Sequence, residues 1–220
     1  LCYYPMTSLK TRSMQHLRIG ITGGMGAGKS TMCKIFGQLG VSIYDADSRA
    51  KFIMSNNQEL KKAITENFGW DAYTRKDELN REYLAKVVFN NEEKLELLNN
   101  LVHPAVKNDY EQWAQEHRDE PYSLKEAALL FESMSYKTLH KVIVIASPIE
   151  TRIERIMKRD HVKREDILKR IQNQSTDRER MNKADWVIYN DGVRSLIEQT
   201  LEVHREILAI RESEVLPFKS

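Results

Sequence analysis

A chain of 220 residues has room for one α/β domain, or for a core with a helical insertion. Its 34 Lys and Arg against 32 Asp and Glu leave a formal net charge of +2, without the basic surplus of a dedicated nucleic-acid module. With 41% hydrophobic and 30% charged residues, and apolar runs such as Val142–Ala146 only five residues long, neither a disordered tail nor a membrane span is expected. Two cysteines, Cys2 and Cys33, make no disulfide framework, and no apolar leader precedes the first strand, so a reducing cytoplasm is the expected location.

Residues 1–13 show neither helical nor strand period and are read as an extension or a cloning remnant, with Met6 and Met14 both possible starts. The chain then alternates: a strand at Leu17–Thr22, a helix to about Leu39, and a strand at Val41–Tyr44 closed by Asp45. A helical block follows from Asp47 to His117, with apolar spacing at Leu95, Leu98, Leu101 and Val102 and expected breaks near Gly69–Leu79 and at Pro104. Strand-like runs return at Tyr122–Lys125, Val142–Ala146 and Trp186–Tyr189, each expected to lead into a helix. This alternation predicts a parallel five-stranded sheet flanked by helices, and the long helical block is expected to form a subdomain beside it.

Between the first strand and its helix lies GGMGAGKST, which fits G-x-x-x-x-G-K-[ST]. Glycines let backbone amides wrap a phosphate chain, and the helix end adds donors and partial positive charge. Gly23, Gly24, Met25, Gly26, Ala27, Gly28, Lys29, Ser30 and Thr31 are therefore the expected nucleotide-phosphate cradle. Lys29 is expected on the β- and γ-phosphates and the Ser30 hydroxyl on Mg²⁺.

Asn182-Lys183-Ala184-Asp185 matches the guanine-reading N-K-x-D, but it precedes a strand instead of closing one, and no D-x-x-G accompanies it. The string is read as coincidence. The apolar strand at Val142–Ala146 ends without the acid a motor ATPase would place there. Asp45 and Asp47 instead follow the second strand, at the strand ends where α/β folds seat ligands, Asp45 as a candidate Mg²⁺ group. The competing reading of Asp47 is a plain helix cap.

From Arg152 to Arg180 run ten Lys or Arg, seven of them Arg, against six acids. Arg152, Arg155 and Arg159 can share one helix face, and arginine supplies the paired donors that a transferring phosphate takes. An Arg-rich helical hairpin over the loop fits a water-excluding lid; a solvated helix face is the alternative.

Together these stretches resemble the dephospho-coenzyme A kinase family over roughly Leu17–Leu208. The resemblance rests on GGMGAGKST, the acids Asp45 and Asp47 with Ala50, Leu79-Asn80-Arg81 leading to Val88-Phe89, and His103-Pro104. Leu129-Leu130-Phe131-Glu132, Arg155 with Arg159-Asp160, and Ala184-Asp185 with Asn190-Asp191-Gly192 complete it. The chain departs from the family where Glu126-Ala127-Ala128 replaces D-x-P and where Asp77-Glu78 replaces an Asp-Gly turn.

The resemblance implies an ATP-dependent phosphorylation of the ribose 3′-hydroxyl of dephospho-coenzyme A, with Mg²⁺. It also implies a single kinase domain over 14–212. The core would be 14–46, 119–150 and 184–212, with a helical acceptor subdomain at about 47–118 and an Arg-rich lid at about 151–183. Asp47 is implied as base or orienter of the hydroxyl, Arg81 and His103 as acceptor-side groups, and Arg155 and Arg159 as lid contacts to phosphate. Among these, Lys29, Asp47 and Arg155 are the expected catalytic groups. His103 also has a structural reading, as a histidine before proline at a helix start. A monomer is expected, with an oligomer left open. Another nucleoside or nucleotide kinase, or a regulatory nucleotide switch, remain the alternatives.

Overall fold

The computed structural model describes residues 15–89, 91–172, 174–213 and 216–219, so residues 1–13 and Met14 lie outside it. Among the described residues five strands form one parallel sheet in the order β2-β3-β1-β4-β5. They are β1 (Leu17–Gly23), β2 (Ser42–Asp45), β3 (Tyr122–Glu126), β4 (Lys141–Ala146) and β5 (Trp186–Tyr189). β1 lies at the centre and is buried along almost its whole length, as a parallel strand covered on both faces must be.

Leu17, Ile19, Ile21, Tyr122, Leu124 and Ile145 pack one face of the sheet against α1 (Lys29–Gln38) and α9 (Leu196–Ser213). The other face packs Tyr44, Val142 and Val144 against Tyr110 and Ala114 of α5 (Glu92–Glu116). A third cluster, built on Ile53, Leu60, Ile64, Phe68, Leu84 and Val102, belongs to the helical block itself. That block holds α2 (Ala46–Asn56), α3 (Gln58–Phe68), α4 (Arg81–Val88) and α5. Each begins on an Asp or Asn whose side chain accepts an amide of the first turn: Asp45, Asn57, Asn80 and Asn91. α3 stops at Gly69, whose φ of 90° favours glycine.

Two expectations need correction. Pro104 does not break the helical block; α5 runs through it from Glu92 to Glu116. The missing N–H forfeits one helix hydrogen bond, while Val102, Tyr110 and Ala114 on either side stay buried and hold the axis. No α-helix follows β3 either: residues 127–140 cross to β4 through turns and a single 3₁₀ turn at Ser135–Thr138. The run Ala127, Leu130, Phe131 and Leu139 is spent on sheet contacts in place of a helix face.

The Arg-rich stretch forms three short helices, α6 (Ile149–Asp160), α7 (Arg164–Gln172) and α8 (Asp177–Asn182), and not a two-helix hairpin. Ile153, Ile156 and Ile167 join α6 to α7, and Thr176 with Glu179 forms a reciprocal cap that opens α8. No helix among the described residues is long and apolar enough to cross a membrane.

Candidate active site

The carboxyl ends of all five strands converge on one region: the glycine loop after β1, Asp45 at the end of β2, Glu126 at the end of β3, Ser147 after β4 and Asn190 after β5. This is where an open parallel sheet leaves a crevice. The loop turns into α1 at Gly28, which sits left-handed at φ 99°. A Cβ there would lie 2.3 Å from Asn190 Nδ2, so both conformation and space require glycine. Gly28 offers no side-chain cap, which leaves the first-turn amides of α1 facing the loop cavity for an anion.

That cavity, of about 210 Å³, is lined by Gly26, Gly28, Lys29, Ser30, Thr31, Arg155, Ile156 and Arg159. Lys29 Nζ donates to the Gly23 carbonyl at 3.1 Å, and Ser30 Oγ donates to Glu126 Oε1 at 3.4 Å. Burial pushes the Lys29 ammonium below its ordinary pKa, against the opposing pull of Glu126 and Asp47. Burial pushes the Glu126 carboxyl up, with Lys29 opposing and Asp45 and Asp47 reinforcing. Asp47 is open to solvent within a cleft walled by protein; desolvation there raises it, while Lys29 pulls it down. Asp45, and not Asp47, caps α2: its carboxylate accepts the Ser48 amide at 2.9 Å and the Ser48 hydroxyl at 2.6 Å. Cys33 is buried and its thiol is pushed far up, so it is packing and not chemistry.

Beside the loop cavity lies a second cleft of about 360 Å³, lined by Asp47, His103, Val102, Lys125 and Glu132 among others. Asp47 is thus a wall of this cleft and within the field of Lys29 in the first. His103 stands on α5 facing the cleft, its pKa lowered by burial and then by Lys125. Arg81 does not line it; it is exposed in the first turn of α4.

The three arginines of α6 divide their duties. Arg155 donates to Ser147 Oγ at 3.2 Å and to Asn190 Oδ1 at 3.1 Å while lining the loop cavity. Arg159 is exposed on the cavity rim and paired with Asp160. Arg152, expected on the same face, is instead 1% exposed and points under the loop. Its Nε donates to the Met25 carbonyl at 2.9 Å, and its Nη1 meets both oxygens of Asp177. A Cβ on Gly24 would lie 2.5 Å from this guanidinium, which is why glycine stands there too.

Gln174 and Arg180 were singled out by no motif, and Asn190 and Glu132 stood in quoted motifs without an assigned role. Gln174 Oε1 accepts the Met25 amide at 3.1 Å, and Asn190 Nδ2 donates to the Ala27 carbonyl at 2.8 Å. Arg180, 2% exposed, donates to Asp177, and Glu132 accepts the Ser175 amide. Glu126 carried a family-like acid position, and Asn190 stood in Asn-Asp-Gly after the last strand; these were the available signals. Asp185 of the N-K-x-D string lies at the opposite ends of the strands, accepting the Val142 amide and pairing with Lys141 and Lys219. It is structural there.

Comparison with known proteins gives the chain a family. The family model described as dephospho-CoA kinase, CoaE, matches residues 17–195. A dephospho-CoA kinase of Salinibacter ruber is 39% identical over 176 residues, covering 79% of this chain and 88% of the relative. One from Fusobacterium nucleatum is 38% identical, covering 81% and 92%. Among solved structures, TT1252 from Thermus thermophilus superposes with a TM-score of 0.77 at 31% identity, covering 88% of this chain and 98% of that one. Dephospho-CoA kinase from Campylobacter jejuni gives 0.64, also at 31% identity, covering 87% and 97%. A P-loop cavity beside an acid-walled cleft, with this breadth of likeness, leads to one conclusion: the chain belongs to the dephospho-CoA kinase family.

Proposed function

We propose that this protein transfers the γ-phosphoryl group of ATP to the ribose 3′-hydroxyl of dephospho-coenzyme A. The observation that carries this is Asp47, set in the acceptor cleft and in the field of the P-loop lysine at once. In the reaction a bond forms between the 3′-oxygen and the γ-phosphorus while the bond from γ-phosphorus to the bridging oxygen breaks, releasing ADP. Asp47 orients the hydroxyl and takes its proton late, because a loose transition state demands little early deprotonation. The raised pKa of Asp47 brings it nearer to the hydroxyl proton it must accept.

Lys29, first-turn amides of α1, and Arg155 and Arg159 meet the phosphates; the Arg155 fork is pre-set by Ser147 and Asn190. His103 supports the acceptor reading by its place in the cleft wall, whereas Arg81 rests on the family likeness alone. We assign residues 47–118 to acceptor binding and 151–183 to the lid. The lid's role is to exclude water that would compete with the acceptor.

The donor chemistry fits Mg²⁺. Ser30, Asp45 and Glu126 are hard oxygen donors, and Ser30 already contacts Glu126. Among the described residues no cluster of three His, Cys, Asp or Glu forms a complete metal cage, which suits an ion held by one or two protein oxygens plus substrate phosphates. Ser30 and Asp45 are the residues assigned to it, Asp45 through water because its carboxylate caps α2. The chemistry such an ion supplies is charge neutralisation on the β- and γ-phosphate oxygens.

The test is ADP release with ATP and Mg²⁺, alone and with dephospho-coenzyme A, AMP or adenosine. Strong stimulation by dephospho-coenzyme A over AMP is expected. Preference for AMP or a nucleoside would make it a nucleotide kinase instead, and acceptor-independent turnover a switch.

A further inference from the structure

Lys125 is a buried residue of the acceptor cleft whose charge has no partner among the described residues. On β3, Tyr122 and Leu124 face the α1–α9 core, so Ser123 and Lys125 face α5. Lys125 is 4% exposed, and its Nζ lies 4.1 Å from the centroid of the Tyr110 ring. Among the described residues it makes no ion pair and no hydrogen bond. The nearest acid in its field, Glu111, is already bound to Arg18 at 2.7 Å. A cation over a ring face recovers only part of the cost of leaving water. Yet Lys125 lines the acceptor cleft together with Asp47 and His103. A lysine with a buried stem, whose unpaired ammonium opens into a ligand cleft, is placed to meet an anion on the ligand.

We propose that Lys125 reads the 5′-diphosphate of the acceptor, holding the molecule so that its ribose 3′-hydroxyl meets Asp47. This deepens the proposed function and rests on it, since the diphosphate and the reacting hydroxyl lie a few bonds apart on one ribose. An acceptor without the diphosphate leaves the lysine unpaired and is penalised. Lys125 is thereby a specificity-determining group, distinct from the phosphate contacts of the P-loop.

The electrostatics agree with that geometry. Burial lowers Lys125 to about 8, with Glu111 opposing and Arg18 reinforcing. The charged or titratable groups facing it are Arg18 from β1, His103, Lys107, Tyr110 and Glu111 from α5, and Asp47 from α2. Burial drives Tyr110 well above that range and His103 below its ordinary value.

The experiment is calorimetric titration of dephospho-coenzyme A and of adenosine into wild type, Lys125→Met and Lys125→Arg, with steady-state KM values alongside. Lys125→Met is expected to weaken dephospho-coenzyme A roughly 10- to 100-fold, the scale of a lost charge-assisted hydrogen bond. KM for ATP and affinity for adenosine should stay within about twofold of wild type, and Lys125→Arg should recover part of the loss. The second measurement needs no variant: with an unreactive ATP analogue filling the P-loop, wild type should bind ADP, which carries the 5′-diphosphate on the same ribose, roughly 10- to 100-fold tighter than adenosine. Unchanged affinity in Lys125→Met, or equal loss for adenosine, overturns the inference while leaving the kinase reading intact. Equal affinity of wild type for ADP and adenosine, with the P-loop filled, overturns it too. A wild type that fails to bind dephospho-coenzyme A overturns both.

Discussion

Asp177→Ala tests whether the lid is fastened to the P-loop through buried charge. Arg152 and Arg180, 1% and 2% exposed, share this one carboxylate. Arg152 Nη1 lies 2.9 and 2.7 Å from its two oxygens, and Arg180 Nη2 lies 2.8 Å from the first. Each charge-assisted contact is worth about 1.5–3 kcal/mol in a protein interior. The Asp177 side chain is itself 38% exposed, so water enters where it is removed, and the net loss is about 2–4 kcal/mol. For a domain of this size that corresponds to roughly 4–16 °C in Tm. Arg152→Met in the Asp177→Ala background should return part of the loss, because it removes a stranded buried cation. Thermal unfolding of the two single variants and the double variant, by circular dichroism, measures this coupling directly. A Tm change below about 2 °C for Asp177→Ala, or strictly additive losses, would refute the clamp.

Lys29→Ala should lower kcat by about 3–4 kcal/mol in barrier terms, since a preorganised charge on the phosphates vanishes where water cannot replace it; steady-state ADP release measures it. Asp47→Asn should reduce kcat strongly while ATP affinity stays within a few-fold. The pH profile gives the sign: Asp47 is raised, so kcat/KM of wild type should fall as pH drops through an acid limb lying above the ordinary ~3.9, and the asparagine variant should lack that limb. Arg155→Lys should lose most activity despite keeping its charge, because one ammonium cannot bridge Ser147, Asn190 and a phosphate; wild-type rates would mean that charge alone suffices.

The parts legible in the sequence were those with a local physical signature. Apolar runs bounded by turn residues located all five strands, and a strand–glycine–helix sequence located the glycine loop that turns into α1. What stayed hidden depends on partners distant along the chain. Arg152 and Arg155 stand three apart and look alike, yet one lies beneath the loop and the other on its cavity, and only the position of Asp177 and Asn190 separates them. Pro104 announces a break that the packing of α5 against the sheet and the helical block overrides. Ala127–Leu139 has helix-like content but is drawn out over the sheet. Lys125 sits in a strand of otherwise ordinary burial pattern, and nothing in its neighbours signals that its ammonium opens on the cleft.

The contacts between lid and loop bear on how the site is assembled. Met25 is held at its amide by Gln174 and at its carbonyl by Arg152, and the Ala27 carbonyl is held by Asn190. Those three anchors fix the loop backbone at Met25 and Ala27, just ahead of the first turn of α1. The same Asn190 fixes Arg155, so one residue sets both the loop and a phosphate-facing guanidinium. A loop and an arginine placed before ATP arrives need no reorganisation as charge develops, which is the condition under which fixed donors accelerate transfer most. Arg159 differs: it is exposed and, among the described residues, paired with its neighbour Asp160, a weak surface pair that the proposed function has it exchange for a phosphate. Under the proposed function, fixed Arg155 is the group for the transition state and adjustable Arg159 the group for closure, a division argued from their partners and not from their spacing.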